Sequence, residues 1–190
     1  ILLHGYGADG NDLIGLAPHL ARALPDTSFY SPNAPFPCEM SPFGRQWFSL
    51  AEYDPEFLRR APETMSGALA AMAEGANKSA SYVNDFIDHV METHGIGEDR
   101  IALVGFSQGT MMSLQTAPRR AKQLAGVVGF SGALLGDGAF VREQARIRVV
   151  GGGAVDEPHH CGRCPGASAR GFDYESGGPA GHACLHGGCS

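Results

Sequence analysis

Residues 102–109 read Ala-Leu-Val-Gly-Phe-Ser-Gln-Gly, and how this stretch is taken decides the fold. The apolar run Arg100 to Val104 shows no alternation, which is the pattern of a strand buried on both faces of a parallel sheet. It passes directly into Gly105-Phe106-Ser107-Gln108-Gly109, a match to G-x-S-x-G, and then into a short helical segment that Pro118 limits. Glycines on both sides of Ser107 imply a turn so tight that side chains at 105 and 109 would collide with its neighbours. Such a turn lifts the serine hydroxyl above the sheet edge and sets it at a helix N-terminus, where backbone N–H groups favour developing negative charge. A neutral hydroxyl is a poor nucleophile, so Ser107 also needs a base and an acid that orients the base.

Working outward, Ile1-Leu2-Leu3 reads as the end of a buried strand stopped by the turn His4-Gly5-Tyr6-Gly7. That junction is the place from which a second oxyanion donor would come, so the backbone amides of Tyr6 and Gln108 are the candidate pair. His4 is read as a turn residue hydrogen-bonded to backbone. Asp9 and Asn11 offer N-caps for a helix with Leu13, Leu16, Ala17, Leu20 and Leu24 on one face. Thr27 to Tyr30 reads as a strand. Prolines recur through the irregular excursion from Ser31 to Pro62, which holds Trp47, the single tryptophan. Glu63 to His94 reads as helical, with Gly75 the candidate break and Val83, Phe86, Ile87, Val90 and Met91 as a core stripe. Leu124 to Phe130 and Ile147 to Val150 complete the apolar runs. Strands alternating with helices predict a mostly parallel sheet covered by helices on both faces.

At 190 residues, with 43% hydrophobic and 18% charged residues, the chain has the composition of one globular domain. A net charge of −6 with scattered cations argues against a nucleic-acid partner, and no apolar run reaches the length of a membrane helix. The chain starts at Ile1 inside an apolar run, so the reading expects the first strand or strands of the fold to lie ahead of it. Oligomeric state has no signal in the sequence.

Residues 1–150 read as the regular core and 151–190 as an atypical part of the same domain. The last forty residues hold eleven of the 27 glycines, four of the eight histidines and four of the five cysteines. Their only Ile, Leu or Val residues are Val155 and Leu185, too few for the crossover helix a parallel sheet needs. One account of this tail is a segment read partly out of frame; another is disorder. A third is zinc, since Cys161, Cys164, Cys184 and Cys189 with His182 and His186 could supply soft ligands, although the second half lacks C-x2-C or H-x3-H spacing. With Cys38 alone near the other end, five cysteines do not make a disulfide framework, and the reduced thiols point to a cytoplasmic setting.

The segments Leu3 to Gly10, Pro32-Asn33-Ala34-Pro35 with Gly44 to Phe48, and Asp99-Arg100-Ile101 with Gly105 to Gly109 together resemble the phospholipase/carboxylesterase family that includes acyl-protein thioesterases. The resemblance covers about residues 1 to 150. It implies an α/β-hydrolase fold, a Ser-Asp-His triad and hydrolysis of a small-molecule ester or thioester with no metal or organic cofactor. Asp156, in Val155-Asp156-Glu157-Pro158, matches the family's acid position, although Gly152 stands where the family has His and Pro158 arrives early. Glu157 is the neighbouring alternative. His182, in Pro179-Ala180-Gly181-His182, matches the base, with His159, His160 and His186 as competitors. Ser107, Asp156 and His182 then follow in the order that fold uses. Trp47, Phe48 and Leu134 are candidates for the acyl-pocket wall, with plain core positions as the alternative. The rival readings are a catalytically impaired hydrolase-like chain and a zinc-stabilised binding module.

Overall fold

The computed structural model describes residues 1–51, 64–135 and 149–150. Among these residues four strands form one parallel sheet in the order β1, β4, β5, β6: β1 (Leu2–Leu3), β4 (Ala102–Phe106), β5 (Gly126–Phe130) and β6 (Val149–Val150). Val104 lies opposite both Leu2 and Val128, so β4 is a central strand, as its unbroken apolar run requires. Parallel neighbours cannot be joined by a tight turn. The 30-residue helix α3 (Met65–His94) lies between β1 and β4 in the chain, and α4 (Gln108–Thr116) between β4 and β5.

Helix α3 buries Ala68, Met72, Ala76, Ser79, Val83, Ile87 and Val90, an uninterrupted i, i+4, i+3 repeat along one face. Gly95, at φ +62°, closes it with a left-handed cap that glycine adopts without steric cost. Gly75 does not break the helix. A Cβ there would stand 2.8 Å from the Phe48 Cβ, so the missing side chain lets Phe48 lie directly on the helix backbone.

Two elements near the start of the chain differ from expectation. The helix foreseen from Asp9 onward is two pieces, α1 (Gly10–Ile14) and α2 (Ala17–Leu20). Asp9 caps α1, accepting from the Asn11 amide at 2.7 Å, and Asp12 reaches back to the Asp9 amide in a capping box. The break is physical: Pro18 has no N–H to continue the ladder and falls instead in the first turn of α2. Leu16 and Leu24 are left 46% and 49% exposed. Thr27 to Tyr30 forms no strand. Its one link to the sheet is the Leu2 amide donating to the Tyr30 carbonyl at 2.7 Å, and β1, two residues long, offers no ladder to extend.

Within the proline-rich excursion a small antiparallel hairpin forms, β2 (Phe36–Pro37) against β3 (Arg45–Gln46). It is fastened to the turn after β1: Gly7 donates to the Arg45 carbonyl at 2.9 Å, and Arg45 donates to the Ala8 carbonyl at 2.8 Å. Gly44 permits this approach, because a Cβ there would stand 2.2 Å from the Gly7 oxygen. Elsewhere Arg120 donates to Glu98 and Asn84, both at 2.8 Å, and also to Asp88, tying α3, the 3-10 turn Glu98–Arg100 and the end of α4 together. Among the described residues no helix is long and apolar enough to cross a membrane.

Candidate active site

Residues 102–109 make the tight strand-to-helix turn that their glycines predict. Ser107 has φ 51° and ψ −116°, a conformation that costs a non-glycine residue roughly 1–3 kcal/mol and persists only where its surroundings enforce it. Those surroundings are explicit. The Ser107 amide donates to the Phe130 carbonyl at 2.7 Å, and the Ser107 carbonyl accepts from the amides of Thr110 and Met111 in the first turn of α4. A Cβ on Gly105 would stand 2.4 Å from the Thr110 nitrogen, and one on Gly109 only 1.9 Å from the Leu3 oxygen. Both glycines are therefore dictated by backbone running against backbone.

Thr110 is the inner brace of the turn, and the sequence reading passed over it. Its Oγ1 accepts from the Phe130 amide at 3.0 Å and has the carbonyls of Gly105 and Phe130 as acceptors at 2.8 and 2.9 Å. Gly129 and Gly132 are the complementary vacancies: a Cβ on either would meet the Thr110 side chain at 2.4 or 2.3 Å. A threonine three residues beyond a G-x-S-x-G serine, with small residues ending the next strand, is the signal that could have revealed it.

The turn from β1 arrives beside this serine. A Cβ on Gly5 would stand 3.4 Å from the Ser107 Cβ and 3.1 Å from the Phe106 ring. Among the described residues, neither the Tyr6 amide nor the Gln108 amide has a hydrogen-bond acceptor. For Gln108 this follows from position, since the first N–H groups of a helix have no partner within it. The expected trio of Ser107, Tyr6 and Gln108 thus gathers where β1 and β4 end.

Behind the trio the support is polar, buried and saturated. The Gln108 side chain is 1% exposed, its Oε1 accepting from the Trp47 amide at 2.8 Å and its Nε2 donating to the Phe48 carbonyl at 2.7 Å. The Trp47 indole donates to the His4 carbonyl at 3.0 Å, and the Ser79 hydroxyl donates to the Trp47 carbonyl. Trp47 and Phe48, foreseen as acyl-pocket wall, are 1% and 2% exposed. Both belong to the buried core cluster, where Phe48 lies against Gly75 of α3 and the backbone of both residues is bonded to the Gln108 side chain of α4. Leu134 is partly buried against the same core.

His4 is fully buried and, as expected, bonded to backbone. The Ala34 amide donates to its Nε2 at 2.9 Å, so Nε2 carries the lone pair, and Nδ1–H donates to the Gly5 carbonyl at 2.8 Å. Desolvation holds the ring below its ordinary pKa of 6.5, outweighing the Gly5 bond and the charges of Asp9 and Asp12. The Tyr6 phenol donates to Glu39 at 3.2 Å and is pushed well above its ordinary pKa, by desolvation first and then by Cys38 and Glu39.

Asp156 and His182 lie outside the described residues, as do Cys161, Cys164, Cys184, Cys189 and His186 of the zinc alternative. Cys38 is free and buried, and the described residues contain no group of three or more His, Cys, Asp or Glu able to hold a metal.

A parallel sheet whose central strand ends in a strained serine, turned by two obligatory glycines into a helix N-terminus, places the chain in the α/β-hydrolase class. The sequence model of the phospholipase/carboxylesterase family matches residues 1–150, and the chain belongs to that family. It is similar to acyl-protein thioesterase 1 of Emericella nidulans, 32% identical over 136 residues, covering 69% of this chain and 54% of that protein. The Saccharomyces cerevisiae protein of the same name is 30% identical over 139 residues, covering 70% and 56%. Among solved structures, esterase PE8 is 36% identical with a TM-score of 0.63, over 78% of this chain and 62% of that one. A carboxylesterase from Mesorhizobium loti, 18% identical at a TM-score of 0.53 over 72% and 55%, shares the fold. The chain spans about half the length of the curated relatives it matches.

Proposed function

We propose that this chain carries the nucleophile and oxyanion hole of a serine carboxylic-ester hydrolase acting through Ser107, Asp156 and His182. The observation that carries the reading is the left-handed Ser107, flanked by two amides, of Tyr6 and Gln108, that are without acceptors among the described residues. In the proposed reaction Ser107 Oγ attacks the substrate carbonyl while His182 takes its proton, and Asp156 holds the imidazole in the required tautomer. The Tyr6 and Gln108 amides receive the charge that develops on the carbonyl oxygen. His182 then protonates the leaving group, and water hydrolyses the acyl-enzyme by the same steps in reverse roles. No metal or organic cofactor enters this chemistry.

The substrate proposed is a small or medium acyl ester or thioester, with Leu134 beside the acyl chain. Support comes from the family, from esterase PE8 and from the thioesterase names of the relatives. A cytoplasmic setting belongs to the same reading and rests on Cys38, which is free among the described residues. The test is hydrolysis of p-nitrophenyl esters of graded chain length and of an acyl thioester. Replacing His182 by Gln or Asp156 by Asn should each lower kcat by roughly a thousandfold or more, as loss of a triad member does elsewhere. Full activity in His182→Gln would remove His182 from the reading.

A further inference from the structure

The donor at Tyr6 is useful only if its peptide plane is held one way round. In a trans peptide the C=O of one residue and the N–H of the next point in opposite directions, and no cis peptide occurs among the described residues. The Gly5 carbonyl and the Tyr6 N–H therefore belong to one rigid plate. His4 Nδ1–H grips the carbonyl edge of that plate at 2.8 Å, and the Ala8 amide holds it more loosely at 3.3 Å. The opposite edge, the Tyr6 N–H, has no acceptor among the described residues, and the plate begins at Gly5, where an added Cβ would stand 3.4 Å from the Ser107 Cβ.

Resting on the proposed oxyanion hole, we propose that His4 is a positioning residue: its Nδ1–H fixes the Gly5–Tyr6 peptide so that the Tyr6 amide faces the reacting oxygen. The ring is well suited to this. It is fully buried, so water does not compete for Nδ1–H, and the Ala34 amide on Nε2 forces the proton onto Nδ1. The Trp47 indole on the His4 carbonyl pins the backbone of the same residue. Gly5 has no side chain to resist a peptide flip, so the restraint has to come from such contacts.

The test separates the two ring nitrogens. Asparagine at position 4 can place an amide N–H where Nδ1 stands and keep the grip on Gly5. Glutamine reaches the Nε2 position, keeps the Ala34 contact and loses that grip. On a p-nitrophenyl ester, His4→Asn should hold kcat within about threefold of the unchanged chain. His4→Gln should lose about a hundredfold in kcat at an unchanged KM, the size of effect that follows removal of one oxyanion donor. A residue that only stabilised the fold would lower folding stability in both variants and leave this difference in kcat absent; equal kcat in the two variants overturns the inference.

A second measurement needs no variant. 15N spectra of histidine-labelled chain should show His4 as the neutral Nδ1–H tautomer, and an Nε2–H or cationic ring at pH 7 overturns the inference as well. The reading on which it rests is checked separately by replacing Tyr6 with its α-hydroxy acid analogue, which substitutes an ester oxygen for the N–H. An unchanged kcat there shows that Tyr6 is no oxyanion donor and overturns both, whereas a loss there with equal His4 variants overturns the His4 inference alone.

Discussion

Replacing Gly109 by Ala adds one methyl group at the most crowded glycine among the described residues. The new Cβ would stand 1.9 Å from the Leu3 oxygen, 2.5 Å from the Leu3 carbonyl carbon and 2.8 Å from the His4 oxygen. Carbon and oxygen normally approach no closer than about 3.3 Å, so α4 and β1 must part by about 1.4 Å. Neither can yield cheaply, since Leu3 is paired in register with Gly105 and the contacted atoms are backbone. Overpacking usually costs about 1–3 kcal/mol, and a clash against backbone belongs at or above the top of that range. A loss of about 3 kcal/mol is a large share of the roughly 5–15 kcal/mol that a domain has. The same displacement shifts the Gln108 amide relative to the Tyr6 amide, and misplacement by about 1 Å is enough for a loss on the order of a hundredfold in rate. Gly67→Ala is the control. It lies in α3 with nothing within 4 Å, so a methyl there should stabilise by about 0.5–1 kcal/mol through helix propensity alone. Urea denaturation and ester hydrolysis on both variants provide the measurement. A Gly109→Ala chain as stable and as fast as the Gly67→Ala chain would refute the reasoning.

Gln108→Met keeps the volume but strands the Trp47 amide and the Phe48 carbonyl, both buried, and should cost about 2–4 kcal/mol in denaturation. Arg120→Met leaves the buried Glu98 carboxylate without its partner and should cost about 3 kcal/mol, largely recovered when Glu98→Gln is added. His4 gives an acid slope. Its folded pKa lies below the unfolded value of about 6.5, so its contribution is complete above that value and is lost as pH falls through the folded pKa, at up to about 1.4 kcal/mol per pH unit. Denaturation midpoints measured from pH 7.5 to 5 should show that slope, and His4→Asn should remove it.

The elbow was legible because its demands are local: both glycines, the strand before and the helix after lie within about fifteen residues, and backbone crowding allows little else there. The buried face of α3 was legible for a similar reason, since an i, i+3, i+4 stripe needs no knowledge of its partner. Gly75 was misread because helix propensity registers the missing side chain but not the Phe48 ring that occupies its place. The leucines from Leu13 to Leu24 keep one helical face across Pro18, so their periodicity does not register the break that it makes. Trp47 and Phe48 are buried, as apolar rings favour, but nothing local in the sequence says which groups a buried aromatic packs against. The clamp from Gln108 joins residues sixty positions apart, and no spacing rule reports it. Asp156 and His182 were reachable only through resemblance, because forty aliphatic-poor residues offer no periodicity to place them.

If Ser107 is an activated nucleophile at an oxyanion hole, it must react with an electrophile that mimics the tetrahedral intermediate. Fluorophosphonate labelling of the 190-residue chain, digested and mapped by mass spectrometry, tests it most directly. One equivalent of label is expected on the peptide bearing Ser107, none after heat denaturation and none in Ser107→Ala. An unlabelled chain, or label on another serine such as Ser131, would contradict it.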